Sequence, residues 1–112
     1  MNNTKELIRL IQENPDLPIV PMVDSDVVVD DYFGYWLGSF GNCEVNEYIC
    51  IEMYGNDRFV TRDDQDEIEE YFIQLILDED ENISDEEVVS RAHKQAEALD
   101  WVKAIVVYIG TP

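Results

Sequence analysis

Carboxylates are the residues of this sequence most able to do chemistry, and they are unevenly spread. Positions 63–87 hold thirteen of the 26 Asp and Glu residues and no Lys or Arg. Dense carboxylates serve three kinds of chemistry: ligation of a hard cation, proton transfer between paired acids, and imitation of a phosphate backbone. A calcium loop is the first case. From Asp78-Glu79-Asp80-Glu81-Asn82 onward, Asp78, Asp80, Asn82 and Ser84 fall at alternate positions, as ligands would. Ile83 then stands where the sharp turn needs glycine, and Val89 where a bidentate Glu closes the shell. A specific calcium site is therefore not expected, and the loop is left with loose screening by divalent ions.

Proton transfer is the second case. Asp24, Asp26, Asp30 and Asp31 could supply paired carboxyls, because two on one strand face raise each other's pKa. Turn and edge acids of this kind are far more often solvating groups. Nothing nearby completes a catalytic set: there is no Gly-rich phosphate loop, no Ser or Cys in a nucleophile-like setting, and a single His93 expected on the solvent side of a helix. Cys43 and Cys50 read as reduced thiols, and with one His they are too few for a structural zinc site. The expectation is a protein that is not an enzyme, with no cofactor and no metal.

Phosphate imitation fits the spacing best. Four acids in positions 66–70 occupy about 6–7 Å of helix axis, roughly one charge per 1.5–2 Å, against about 1.7 Å per charge in duplex DNA. Like charges at i,i+4 cost roughly 0.2–0.5 kcal/mol per pair, a repulsion that interleaved Lys would remove. The competing reading is a solvated helix whose charge keeps a small protein in solution. The missing Lys favours function. The expected partner-binding set is Asp63, Asp64, Asp66, Glu67, Glu69, Glu70, Asp78, Glu79, Asp80, Glu81, Asp85 and Glu86, facing a basic nucleic-acid-binding protein.

The bulk composition is consistent with that partner. The chain has 112 residues, enough for a single domain over 1–112 with one core of moderate size. At 46% hydrophobic and 11% aromatic it is too apolar for an acidic disordered tail. A net charge of -19 opposes direct binding to nucleic acid or anionic lipid, and makes the fold more stable in salt than in dilute buffer. No apolar run approaches the roughly 18 residues of a membrane span, and no leader pattern opens the chain, so the expected location is cytoplasmic. Oligomeric state is left open, since the prolines near an edge strand at 19–23 work against a full ladder between copies.

These acids need elements to hold them. An amphipathic helix is expected at 4–13, capped by Asn3 with Glu6, buried through Leu7, Ile8, Leu10 and Ile11, and stopped by Asn14-Pro15. Pro15, Pro18 and Pro21 keep the chain extended into a first or edge strand at 19–23. A turn at 24–26, a short strand at 27–29 and an aromatic strand at 32–41 follow. Of its aromatics, Tyr32, Phe33, Tyr35, Trp36 and Phe40, most are expected in the core, with Trp36 packed on Trp101 and Phe33 or Tyr35 reaching the opposite sheet face. A strand at 45–54, with Val45, Ile49, Ile51 and Met53 on one face, turns at Gly55-Asn56-Asp57 into 58–62.

From 63 the period becomes helical, with Ile68, Tyr71, Phe72, Leu75 and Ile76 on one face. Ser84 with Glu87 opens a third helix whose stripe is Val88, Val89, Ala92, Ala96 and Leu99, and 101–109 reads as a strand buried on both faces. The expected fold is α+β, a mainly antiparallel sheet of about four to five strands with helices packed on one face, in the order α-β-β-β-β-α-α-β.

Three stretches carry a resemblance: 13–23 (ENPDLPIVPMV), 35–41 (YWLGSFG) and 101–109 (WVKAIVVYI). They resemble small acidic proteins of phages and mobile elements of Gram-positive bacteria, a group that supplies context and no catalytic residues. In size and charge the chain is also similar in type to phage DNA mimics, the anti-CRISPR and anti-restriction proteins. Two functions follow as expectations. One is an inhibitor whose acidic helix pair occupies the basic groove of a defence nuclease of CRISPR-Cas9 or restriction type, with Tyr54 or Tyr71 slowing release. The other is a non-enzymatic adaptor that binds through its sheet face around Tyr35 and Phe40, its acid serving only solubility.

Overall fold

The computed structural model describes residues 3–30, 32 and 34–112. Three helices, α1 Asn3–Glu13, α2 Gln65–Glu79 and α3 Asp85–Glu97, accompany four strands, β1 Ile19–Val23, β2 Ser39–Met53, β3 Asn56–Thr61 and β4 Val102–Gly110. The strands form one sheet in the order β1-β4-β2-β3. The class is α+β. The sheet is mixed, because β1 runs parallel to β4 while β2 and β3 are antiparallel. The chain divides into two compact units, Met1–Asn46 with Lys103–Pro112, and Glu47–Val102.

In the first unit β4 lies between β1 and β2, and Ala104, Ile105, Val106 and Val107 are buried. Parallel pairing aligns Ile19 with Ile105 and Val23 with Ile109. Ile105 N–H donates to Pro18 O at 2.9 Å and Asp24 N–H to Ile109 O at 2.8 Å, so even-numbered β1 residues turn their backbone groups toward β4. Pro21, odd-numbered, therefore faces the open edge with no donor to offer, which blunts that edge against strand addition. Gly41 permits a close crossing: a Cβ there would stand 3.0 Å from Tyr108 O.

Helix α1 buries less than its pattern implies. Leu10 is buried while Ile8 and Ile11 are exposed, because the shielded line runs through positions 3, 7, 10 and 14 and these two residues lie a third of a turn off it. The strand expected at 27–29 is replaced by a single 3-10 turn, Ser25–Val27. The Asp24 carboxylate accepts the Asp26 N–H at 2.9 Å, a local bond that competes with a ladder and leaves only Val27 buried. The strand expected at 32–41 begins only at Ser39. Asp30 accepts the Tyr32 N–H in a second turn of the same kind, and Tyr32 and Tyr35 are 90% and 96% exposed. Asp31 and Phe33 lie outside the described residues.

In the second unit β2 turns into β3 through Tyr54 and Gly55, one residue earlier than the sequence suggests, with Met53 paired to Asn56. Both turn residues have positive φ, 54° and 81°. Such mirror-type turns match the twist of the strands, and Tyr is a costly occupant where Gly or Asn is usual. The Tyr54 ring packs edge-on against Tyr71 with centroids 4.8 Å apart. Beneath it, Met53, Val60, Ile68 and Ala96 form a core with Ile49, Ile51, Phe72, Leu99 and Trp101 around it. A second cluster joins Ile76 of α2 to Val88 and Ala92 of α3. Leu75 and Val89, expected in the buried stripes, are exposed, because the contact lines follow Ile68-Phe72-Ile76 and Val88-Ala92-Ala96 at i, i+4 and i+8. Small alanines on α3 let the two helices approach closely.

Candidate partner-binding surface

The acid of positions 63–87 is carried by a helical hairpin. Ile68 clusters with Ala96 and Ile76 with Val88, so α2 and α3 run antiparallel. The expected site residues consequently gather at the two ends of the hairpin. At one end, Asp63 and Asp64 lie in a 3-10 turn, Arg62–Asp64, that leads into α2, and Asp66, Glu67 and Glu70 follow on its exposed face. At the other end, Asp78 and Glu79 finish α2, Asp80 and Glu81 form the link, and Asp85 and Glu86 begin α3. All of these are exposed. The two groups lie about 12 Å apart along α2, separated by the uncharged positions 71–77.

Glu69 is the exception. It is half-buried and turned toward α3, its Oε1 2.6 Å from Nδ1 of His93. The face resembling phosphates thus carries three charges over positions 66–70 rather than four, spread over about 6 Å of axis. His93, which has no partner evident in the sequence, ties the two helices together across the hairpin.

The two ends differ electrostatically. Acids in a helix's first turn meet the positive end of its dipole and stabilise it, as do Asp66 and Glu67 on α2 and Asp85, Glu86 and Glu87 on α3. Asp78 and Glu79 sit at the negative end of α2, whose last turn has no basic residue. The α2–α3 link is held by its own backbone: Asp80 N–H donates to Ile76 O, and the Asp80 carboxylate accepts the Asn82 N–H at 3.1 Å. Ser84 caps α3 by accepting the Glu87 N–H at 3.2 Å, while the Glu87 carboxylate takes Arg91 at 3.0 Å. Among the described residues no three His, Cys, Asp or Glu side chains converge on a metal-sized site.

Arg62 organises the end nearest the strands, and nothing in the sequence marks it. Its Nε donates to Glu47 at 3.2 Å, its Nη1 to Gln65 at 2.7 Å, and Nη1 lies 3.3 Å from Glu97. The guanidinium stacks 4.2 Å over the Trp101 ring, and Trp101 Nε1–H donates to Ala96 O at 2.9 Å. Gln65 donates to Glu97 at 2.8 Å, and this bond, reinforced by the Arg62 charge, holds the Glu97 carboxyl below the usual range. Arg62 is thereby committed to Glu47 and Glu97. The exposed row Asp66, Glu67 and Glu70 has no cation paired with it among the described residues.

The other sequence candidates have structural employment. Asp24 and Asp30 close local turns, as above. Cys43 is half-buried, its thiol pushed up by burial, and Cys50 is exposed; neither forms a disulfide. Tyr32, Tyr35 and Leu37 are exposed on an irregular segment before β2 rather than on a sheet face. Among the described residues no helix is long and apolar enough to cross a membrane. Comparison with protein-family models, with curated proteins and with solved structures finds no match to this chain.

Proposed function

We propose that this chain is a non-catalytic, cytoplasmic inhibitor that binds the basic nucleic-acid groove of a bacterial defence nuclease, CRISPR or restriction type, with the α2–α3 carboxylates standing in for DNA phosphates. The observation that carries this reading is the exposed row Asp66, Glu67 and Glu70 on a helix without Lys or Arg, the cation nearest in sequence, Arg62, being engaged elsewhere. Charge so arranged steers association with a basic surface and makes it fast and salt-sensitive. The exposed Tyr54, packed on Tyr71, adds an apolar contact beside the charge. The choice of a defence nuclease as the target rests on the resemblance in type, by size and charge, to phage DNA mimics.

The test is inhibition of DNA cleavage by such a nuclease, comparing the wild type with Asp66→Lys/Glu67→Lys/Glu70→Lys. The variant is expected to keep its fold, since all three positions are exposed, and to lose inhibition. Equal inhibition by the folded variant would overturn the reading and leave the acid as a solubility feature of an adaptor.

A further inference from the structure

We infer that the first unit carries a second, independent site: a pocket that takes one aromatic or branched apolar side chain of a protein partner, flanked in that partner by Lys or Arg. Val23 at the end of β1, Val27, Trp36, Gly38, Phe40 at the start of β2 and Ile109 of β4 line a cavity of about 200 Å³. Close packing builds it. A Cβ on Gly38 would lie 2.4 Å from Ile109 Cγ2, so only glycine lets the chain pass there between Trp36 and Phe40. That volume is somewhat larger than the roughly 150 Å³ that accommodates a benzene ring, so the pocket, open on one side, has room for one aromatic or branched side chain.

Three observations choose the occupant. Asp24 and Asp26, both exposed, stand between the lining residues Val23 and Val27, and positions 10–57 contain no Lys or Arg. A flanking cation is thus attracted and a flanking acid repelled. The net charge of -19 on each copy opposes a second copy of this chain as the occupant. The outward-facing Pro21 removes a donor that an added strand would need, so recognition proceeds by side-chain insertion rather than by extension of the sheet.

The probes are three pentapeptides titrated into the ¹⁵N-labelled full chain: acetyl-Lys-Arg-Phe-Arg-Lys-amide, its Phe-to-Ala analogue of equal charge, and acetyl-Glu-Glu-Phe-Glu-Glu-amide. The first is expected to shift the Gly38 and Ile109 amides saturably, with an affinity at least about tenfold above either of the others. Val23→Arg, at a half-exposed rim position, is expected to weaken that binding by about tenfold or more, and Phe40→Ala provides the same check through an exposed wall residue. Equal binding of the Phe and Ala peptides, shifts confined to α2 and α3, equal binding of the acidic peptide, or no saturable shift would each overturn the proposal.

Discussion

The α2–α3 hairpin and the segment between β1 and β2 both present surfaces that folding alone does not require, one of like charges and one of apolar side chains. The hairpin is regular and packed beneath: Ile68, Ala92 and Ala96 are fully buried, while its outer face accepts charge repulsion. The segment is irregular and apolar outside: Val28, Val29, Tyr32, Tyr35 and Leu37 face solvent, while Val27, the packing of Gly38 against Ile109 and two Asp turns anchor it. In the hairpin, stability and surface chemistry are carried by different residues of the same helix. In the segment little core lies beneath the exposed groups, so its surface is tied to turn geometry instead. Substitutions should therefore separate the two regions sharply.

The largest effect is expected from Ile68→Ala, which empties a fully buried position and should cost about 2–5 kcal/mol in denaturant unfolding. Tyr35→Ala should change stability by less than about 0.5 kcal/mol, because its ring is almost wholly in water. A large loss from Tyr35→Ala would mean that the segment is packed and the contrast false. Next is Arg62→Ala, which strands Glu47 and Glu97 and removes the cation from the Trp101 ring. The charge-assisted bonds and the stacking lost there amount to about 1–3 kcal/mol, measurable by urea titration.

A smaller effect distinguishes the two ends of α2. Glu79→Lys places a cation at the negative end of the dipole and should stabilise by about 0.3–1 kcal/mol at low salt. Asp66→Lys, at the positive end, should be neutral or destabilising although it removes the same charge. Stabilisation by both would show that net charge alone, and not its position, governs the hairpin. The smallest effect is one of pH. Glu97 titrates lower in the folded than in the unfolded chain, so its stabilising contribution is complete above the unfolded carboxylate pKa of about 4.3 and disappears as pH falls through the lower folded value. Glu97→Gln should accordingly be less stable than wild type at neutral pH, with the gap closing on acidification, as followed by thermal unfolding across that range.

Much of the hairpin is legible in the sequence because its signals are local. The period of Ile68, Phe72 and Ile76 and the cap at Ser84 are written within a few residues, and the exposed acids follow from them. Leu75 and Val89 mislead because two apolar neighbours on a helix cannot both lie on a narrow contact line. The first unit is harder to read. Its defining pairing joins Ile19–Val23 to positions 105–109 across nearly the whole chain, and no local pattern announces that β4 will lie between β1 and β2 in a mixed sheet. Among the described residues, the β-prone positions 27–29 and 34–38 join no strand, and Asp24 and Asp30 capture backbone donors in turns instead. Arg62 escapes notice for the same reason: Glu47 and Trp101 reach it only through the fold.

The proposed function requires the hairpin to occupy a site that otherwise holds DNA. Its most direct test is competition on a defence nuclease, with labelled duplex DNA titrated against this chain and against the Asp66→Lys/Glu67→Lys/Glu70→Lys variant at low and moderate salt. Mutually exclusive binding by the wild type, weakened by salt and lost in the folded variant, is the predicted result. Simultaneous binding of DNA and protein, or displacement by the variant as effective as by the wild type, would contradict it.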